Sequence, residues 1–240
     1  CIGRQQEDLV LHYDRPAEFF EEALPIGNGR LGAMIYGGTV EERISLNDIT
    51  LWTGEPEKNA DIPSGYDPIA AVQAVRDALD AEDYRLADRL QRPIQGHFSE
   101  NYQPLGTLMI HYPEAEIADY YRDLNISNAI ASVSYKRNGA PFSSEYFVSA
   151  PDSVIVVRIR SGKPIDITLE PFSLLPHQVS ATGNRLTVDG YAAYHSLPDY
   201  YNARDKFEYD PDRGIHFRTV YVVECDGQVT AQNSALDVQG

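Results

Sequence analysis

The sequence contains few of the residues that mark several large classes of protein. Its 240 residues include two cysteines, Cys1 and Cys225, so no disulfide framework is predicted. Lys and Arg number 20 against 36 Asp and Glu, which gives a formal net charge of −16. This charge disfavours nucleic acids and anionic membranes as partners, because both are bound largely through Lys and Arg. No apolar run approaches the roughly 20 residues of a membrane-spanning helix.

Sequence patterns for metal and acyl-transfer chemistry are also missing. The six histidines are scattered, with no H-x-x-x-H, H-x-H or paired-cysteine spacing. The sequence therefore predicts no transition-metal site and no cofactor. A G-x-S-x-G motif is absent as well, so acyl transfer by a serine nucleophile has no support.

The segment 23–52 contains a glycine pattern with two interpretations. The run G-N-G-R-L-G at 27–32 has the spacing of a dinucleotide-binding fingerprint. Such a fingerprint follows a buried parallel strand and opens a helix, whereas here Pro25 precedes it and Gly37-Gly38 closes the short apolar run after it. A helix there would carry two glycines at roughly 1 kcal/mol each. The pattern favours a turn between strands over a phosphate site.

Most of the chain predicts antiparallel strands. Apolar and polar residues alternate over 129–137, which indicates a strand with one buried face. Asn138-Gly139 then predicts a hairpin to 142–149, and Asp226-Gly227 predicts another hairpin. Further strands are predicted at 9–13, 31–37, 42–46, 105–112, 118–127, 153–160, 165–170, 186–188 and 215–224.

One helical insertion interrupts the strands. Asp67 is suited to cap a helix whose first residue is Pro68, and apolar residues at helical spacing follow. These features predict a helical hairpin near 67–92 that Pro93 ends. The whole pattern predicts a mainly β fold, a large antiparallel β-sandwich (supersandwich) that forms a single domain over 9–240.

The segment before the first strand is a polar tether, residues 1–8. A chain that begins with cysteine and such a tether looks like a bacterial lipoprotein after removal of its signal peptide. Cys1 would then carry the lipid anchor, the only contact with a membrane, and the protein would lie in the periplasm or on the outer membrane. The alternative is that the numbering starts at an arbitrary boundary. A lipidated protein should need detergent for extraction.

A long loop at 191–213 is rich in tyrosine and acidic residues. Loops of this length usually have a function or little order. One interpretation is a surface loop that is held in place by contacts among its own aromatic residues. The other is a carbohydrate-binding surface, formed by the tyrosine-rich part at 191–209 or by a concave sheet face.

Motif blocks recur over residues 16–160. They are E-A-L-P-I-G-N-G-R-L-G-A-M-I-Y-G-G at 22–38, E-R-I-S-L-N at 42–47, T-L-W at 50–52, Y-Q-P-L-G-T-L at 102–108, D-Y-Y-R-D-L at 119–124 and P-D-S-V-I-V-V-R at 151–158. These blocks resemble the N-terminal domain of glycoside hydrolase family 95, the α-L-fucosidase type. Two departures are that the family's usual L-N-E-D-T-L-W reads L-N-D-I-T-L-W at 46–52, and that Phe19-Phe20 replace a common tryptophan.

The resemblance implies a non-catalytic role for these residues. In that family a β-supersandwich is joined to an (α/α)6 barrel that performs the inverting hydrolysis of an α-L-fucoside or α-L-galactoside. We therefore expect the catalytic residues, the barrel partner and the closing strands of the sandwich to lie outside 1–240, and the oligosaccharide to bind at the domain junction. Asp and Glu are plentiful here, but no pair is marked out as the two carboxyl groups that flank a sugar. The chain alone is predicted to be inactive.

Two polar segments are candidates for substrate binding. Asn47, Asp48 and Trp52 follow the strand at 42–46, and an exposed tryptophan beside an amide and a carboxylate suits sugar recognition. The alternative is a buried tryptophan at a domain junction, with Asn47 holding a turn. The second segment contains His97, Asn101, Tyr102 and Gln103. In one interpretation these residues reach the entrance of the active site, and in the other they only cap and stabilise their own loop.

Overall fold

The computed structural model describes residues 9–56, 65–95 and 99–240. Cys1, the tether and His97 lie outside the described residues. The strands are β1 Val10–Tyr13, β2 Leu24–Gly27, β3 Leu31–Ile35, β4 Glu41–Asp48, β5 Gly106–His111, β6 Ile117–Asn125, β7 Ile130–Arg137, β8 Ala140–Ser149, β9 Val154–Ser161, β10 Ile167–Phe172, β11 His177–Thr182, β12 Arg185–Tyr191, β13 His195–Ser196, β14 Phe207–Glu208, β15 His216–Val222, β16 Gln228–Gln232 and β17 Ala235–Gln239. The helices are α1 Pro68–Asp80 and α2 Tyr84–Gln91, with one-turn 3-10 helices at Phe20–Glu22 and Arg92–Ile94.

The described strands form four sheets in which every pairing is antiparallel. The largest has the order β16-β17-β10-β5-β4-β3-β2. A second has the order β1-β6-β7-β8-β9, a third β11-β12-β15, and β13 pairs with β14. The predicted mainly β fold with one helical hairpin is confirmed.

The three larger sheets share one hydrophobic core. Ile35 and Ile44 come from the seven-stranded sheet, Val133 from the five-stranded sheet and Leu186 from the three-stranded sheet, and all four are at most 2% exposed. Burying one such side chain stabilises a fold by about 1.5–3 kcal/mol. The five-stranded and three-stranded sheets therefore both pack on the seven-stranded sheet, and the alternation of residues in each strand sends apolar side chains inward.

The two predicted hairpins have different outcomes. Asn138 and Gly139 join β7 to β8 with φ angles of 48° and 75°, which confirms the first. The prediction at Asp226-Gly227 is wrong, because β15 pairs with β12 whereas β16 pairs with β17. The chain changes sheets at that point, and the tight turn lies instead after β16, where Asn233 has a φ of 37°.

The glycine-rich segment is a hairpin between β2 and β3. Asn28 Oδ1 accepts hydrogen bonds from the backbone N–H groups of Arg30, at 3.0 Å, and Leu31, at 2.8 Å, while Gly29 takes a φ of 92° that favours glycine. A strand follows this turn and not a helix, so no helix N-terminus is available to hold a pyrophosphate. Pro25 is accommodated because β2 is an edge strand.

The helical hairpin begins as predicted. Asp67 caps α1 by accepting hydrogen bonds from the N–H groups of Ile69 and Ala70, and Pro68 is the first helical residue. Helix α2 ends before Pro93, which lies in a one-turn 3-10 helix. Among the described residues, no helix is both long enough and apolar enough to cross a membrane.

Candidate functional site

Trp52 and Tyr102 form a cross-strand pair at the protein surface. They are joined as an isolated antiparallel bridge, supported by backbone hydrogen bonds from Thr53 N to Asn101 O at 2.8 Å and from Gln103 N to Leu51 O at 3.0 Å. Side chains directly opposite in such a bridge project to the same face. Trp52 is 43% and Tyr102 46% exposed, so this aromatic face, defined as Trp52 and Tyr102, points outward.

The same alternation turns the neighbouring residues inward. Leu51, Thr53 and Gln103 are buried on the opposite side of the bridge. Trp52 is held by its Nε1–H, which donates to the carbonyl of Ile49 at 2.9 Å, and the Gln103 amide donates to the carbonyl of Tyr102 at 3.2 Å. The indole is thus positioned and exposed, and it does not pack in the interior of this chain.

Asp48 organises the turn that leads from β4 to Trp52. Its Oδ1 accepts hydrogen bonds from the N–H and the hydroxyl of Thr50 at 2.9 and 2.7 Å, and Arg30 Nε lies 3.4 Å from Oδ2. Partial burial opposes ionisation, but these donors outweigh it and lower the pKa of Asp48 below its ordinary value. Next to it, Asn47 Oδ1 is buried with no hydrogen-bond partner among the described residues.

A network around Glu100 fixes the inner side of the aromatic face. Glu100 Oε2 accepts hydrogen bonds from the hydroxyl of Thr53 at 2.5 Å and the N–H of Ser196 at 3.1 Å, and Oε1 lies 2.9 Å from His195 Nδ1. Asn101 adds a hydrogen bond from its amide to the Ser196 hydroxyl at 2.5 Å. Partial burial raises the pKa of Glu100, but the donors, led by Thr53, prevail and lower it overall.

The long aromatic loop packs beside this network. Arg213 makes a two-point ion pair with Glu55, with Nη2 2.5 Å from Oε1 and Nε 3.2 Å from Oε2. The Arg213 guanidinium also lies over the ring of Tyr194, 3.6 Å from its centroid, and the Tyr194 hydroxyl donates to Glu208. The loop is therefore held both by its own aromatic residues and by contacts with the two segments that carry Trp52 and Tyr102.

Two of the predicted candidate residues meet in this arrangement. Trp52 and Tyr102 were separate candidates, and the structure brings them together; Asp48 lies at the base of the turn below Trp52. Glu100 and His195 were not candidates. A sequence signal existed, since Glu100 directly precedes Asn101 and Tyr102, but its partner lies 95 residues away along the chain.

Five carboxyl groups of the described residues have pKa values that depart from the ordinary ones. Burial raises the pKa of Glu42 to about 8, yet this side chain is 1% exposed and is enclosed in the core. The other carboxyl groups with a resolved shift, Glu22, Asp48, Glu100 and Asp189, have lowered pKa values. A general acid needs a raised pKa together with access to the leaving oxygen, and Glu42, whose pKa is raised, has no such access.

Comparison with known proteins identifies the family of this chain. A family model described as the glycosyl hydrolase family 65 N-terminal domain matches residues 11–240. Alpha-L-fucosidase 2 of Arabidopsis thaliana is 33% identical over 227 residues, which cover 90% of this chain and 26% of that protein. Probable alpha-fucosidase A of Aspergillus niger is 31% identical over 198 residues, 78% of this chain and 24% of that protein. A protein of the same name from Aspergillus oryzae is 24% identical over 223 residues, 90% of this chain and 29% of that protein.

The chain thus spans about a quarter of the length of the curated relatives it matches. The family model, in contrast, covers nearly all of it, including the β2–β3 hairpin, the bridge between Trp52 and Tyr102 and the aromatic loop. The chain belongs to the glycosyl hydrolase family 65 N-terminal domain family.

Proposed function

We propose that this chain is the non-catalytic N-terminal β-sandwich domain of an α-L-fucosidase-like glycoside hydrolase of family 95. It packs on an (α/α)6 catalytic barrel and helps to shape the sugar pocket at the junction. The names of the relatives and the quarter of their length that the chain spans support this proposal. The one described carboxyl group whose pKa is shown to be raised, Glu42, is enclosed in the core, which supports the non-catalytic part.

The aromatic face carries the proposal. Trp52 and Tyr102 present adjacent aromatic surfaces on which the apolar C–H face of a sugar ring can pack, and aromatic side chains with few polar groups around them are typical of such sites. Asp48 and Thr50 supply oxygen atoms nearby for the hydroxyl groups. Gln103 supports the bridge from its buried side, and His97 belongs to the segment that leads to it.

Substitution of the aromatic face tests this role. In the protein expressed from its full reading frame, Trp52→Ala and Tyr102→Ala should each raise KM for a fucosylated oligosaccharide at least tenfold, because they remove contact area for the sugar. Tyr121→Ala is the matched control, since Tyr121 is 42% exposed but lies on β6 in the five-stranded sheet. Unchanged KM in both variants would contradict a role in the pocket.

The catalytic part is tested separately with residues 1–240 alone. We expect no turnover of an aryl α-L-fucoside above a buffer blank, because the proposal places the catalytic acid and base in the barrel. Turnover by pure 1–240 would overturn the non-catalytic assignment. Turnover by the full protein that no substitution in the barrel abolishes would overturn it as well. The preference for fucose over L-galactose follows from kcat/KM for the two aryl glycosides.

A second candidate function is a stand-alone carbohydrate-binding module. The exposure of aromatic residues on the loop favours it, with Tyr200 78%, Phe207 46% and Tyr209 41% exposed. Titration of residues 1–240 with fucosylated oligosaccharides separates the two. A supporting domain should show no saturable binding, whereas a module should bind at micromolar to millimolar concentration and lose that binding in a Tyr200→Ala variant.

A further inference from the structure

A groove separates the two sheets that cover the seven-stranded sheet. It is formed by two adjoining cavities of about 640 Å³ and about 600 Å³. Residues Ile155 and Val157 of β9 and Val220 and Val222 of β15 line both cavities, with Leu108 of β5 as floor. The two strands therefore lie on opposite sides of one groove.

Both walls of this groove are strand edges. β9 is the last strand of the five-stranded sheet and β15 is the last strand of the three-stranded sheet. In an edge strand, every second residue directs its N–H and C=O away from the neighbouring strand. Among the described residues, no strand pairs with these outer edges of β9 and β15. The groove thus presents two rows of backbone donors and acceptors above an apolar floor.

The two edges run in the same direction. The first cavity is lined by the start of β9, at Val154 and Ile155, and by β15 from Ile215 onward. The second is lined by the end of β9, at Ser161, and by the residues that follow β15, up to Asp226. Both strands therefore advance from the first cavity towards the second. A single strand that is antiparallel to one of them is antiparallel to the other.

We propose that one β-strand, supplied by polypeptide of the same protein outside residues 1–240, occupies this groove and pairs antiparallel with both β9 and β15. One strand satisfies both edges and keeps the all-antiparallel arrangement of every sheet in the described chain, whereas two strands would force a parallel pair. The strand joins the five-stranded and three-stranded sheets into one continuous layer. The apolar floor requires apolar residues at its alternate, inward positions.

The choice of occupant rests on the relatives. The chain matches only 24–29% of their length, so proteins of this kind carry ample further polypeptide. The groove also exposes apolar side chains at its rim, with Val154 44%, Val220 41% and Val222 53% exposed. An open edge of this kind attracts other chains, and natural proteins normally cover it.

The direction of the strand has a consequence for the aromatic face. A strand antiparallel to β9 enters near Lys163 and Asp226 and leaves at the other end of the groove, which Asn47, Asp48 and Thr50 line. The inference does not depend on sugar binding, but it delivers the following polypeptide to the end of the sandwich where Trp52 is found.

Residue-resolved hydrogen exchange tests this pairing. In residues 1–240 alone, amides at alternate positions of β9 and β15 should exchange fast and the intervening ones slowly. In the protein expressed from the full reading frame, the fast set should slow at least tenfold, while the central strands β8 and β12 are unchanged. The alternation distinguishes strand pairing from a loop or helix that merely covers the groove, which would slow neighbouring amides alike.

Three results would overturn the proposal. The first is equal exchange at the groove-side amides in the two proteins, or slowing without alternation. The second is protection of these amides in 1–240 alone together with a dimer in analytical ultracentrifugation, which would place a second copy in the groove. The third is a reading frame that supplies no polypeptide beyond these residues. A change in sugar affinity alone bears on the aromatic face and leaves the groove assignment unaffected.

Discussion

The backbone N–H of Gly37 donates a hydrogen bond to Oε1 of Glu42 at 3.1 Å inside the core, and the N–H of Tyr36 donates to the same oxygen at 3.2 Å. Glu42 therefore closes the turn that joins β3 to β4. Its desolvation nevertheless outweighs these donors and raises its pKa to about 8. The folded protein holds a proton on this side chain at neutral pH that the unfolded chain releases.

This protonation predicts how stability depends on pH. Between the ordinary pKa of 4.5 and the folded value of about 8, the folded state binds more protons than the unfolded state. The contribution of Glu42 to the free energy of unfolding is therefore largest below pH 4.5 and falls as the pH rises towards 8. Glu42→Gln, a neutral side chain of the same shape, should flatten this dependence in urea titrations. Glu41→Gln is the control, since Glu41 is exposed, and a slope equal to wild type in Glu42→Gln would contradict the assignment.

Adjacent substitutions check which face of the bridge is buried. Leu51 is 2% exposed, so Leu51→Ala should lower the free energy of unfolding by about 2–5 kcal/mol. Trp52→Ala at the next position should lower it by less than Leu51→Ala, because 43% of the Trp52 surface is exposed. Chemical denaturation of residues 1–240 measures both. A larger cost at Trp52 than at Leu51 would reverse the assignment of the outward face.

Glu100 is predicted to hold the aromatic loop in place. Glu100→Gln removes the negative charge that His195 and Thr53 face, so the loop should open more often. Trypsin reports this opening because Arg204 and Lys206 lie in the loop, and we expect cleavage there to accelerate several-fold. Glu145→Gln, a change at a half-exposed side chain on β8, should leave the rate unchanged. Since the folded pKa of Glu100 is lowered, its stabilisation exists above the ordinary pKa and is lost as the pH falls through the folded value.

Gly54 is predicted to admit no side chain. It has a φ of 100°, and a Cβ there would lie 2.6 Å from Cγ of Glu100. Gly54→Ala should therefore cost more than Gly183→Ala, where φ is 59° but no atom lies within 4 Å of the added carbon. The control carries only the backbone penalty of about 1–2 kcal/mol. Thermal unfolding of the two variants gives the difference, and equal Tm values would show that Glu100 moves aside freely.

Local features were predictable from the sequence, and pairings between distant segments were not. Asp67 and Pro68 define the start of α1 within a few residues, and Asn138-Gly139 defines a hairpin in the same way. β2 was not predicted as a strand, because Pro25 lacks the backbone N–H that a central strand donates to its neighbour. The structure accommodates Pro25 by placing β2 at the edge of the sheet. The Asp226-Gly227 error has a non-local cause, since the partner of β15 is β12.

In the candidate site, too, single residues were predictable from the sequence and their contacts were not. A lone tryptophan beside an amide and a carboxylate, and a tyrosine in a polar segment, were recognisable as separate candidates, whereas the exposure of the tryptophan was left open. Their bridge depends on how β4 and β5 align in the sheet, which single-residue patterns do not encode. The contact between Glu100 and His195 joins two segments that lie 95 residues apart in the sequence. No local spacing of residues predicts such a contact.

Pro25 has a consequence for the behaviour of the protein at high concentration. β2 forms one outer boundary of the seven-stranded sheet, and proline at its centre removes a backbone donor that an incoming strand would need. We therefore expect Pro25 to disfavour fibrillar growth from this boundary. A Pro25→Val protein should lose this protection and form thioflavin-positive aggregates sooner on storage, although the folded monomer itself would gain a better strand former.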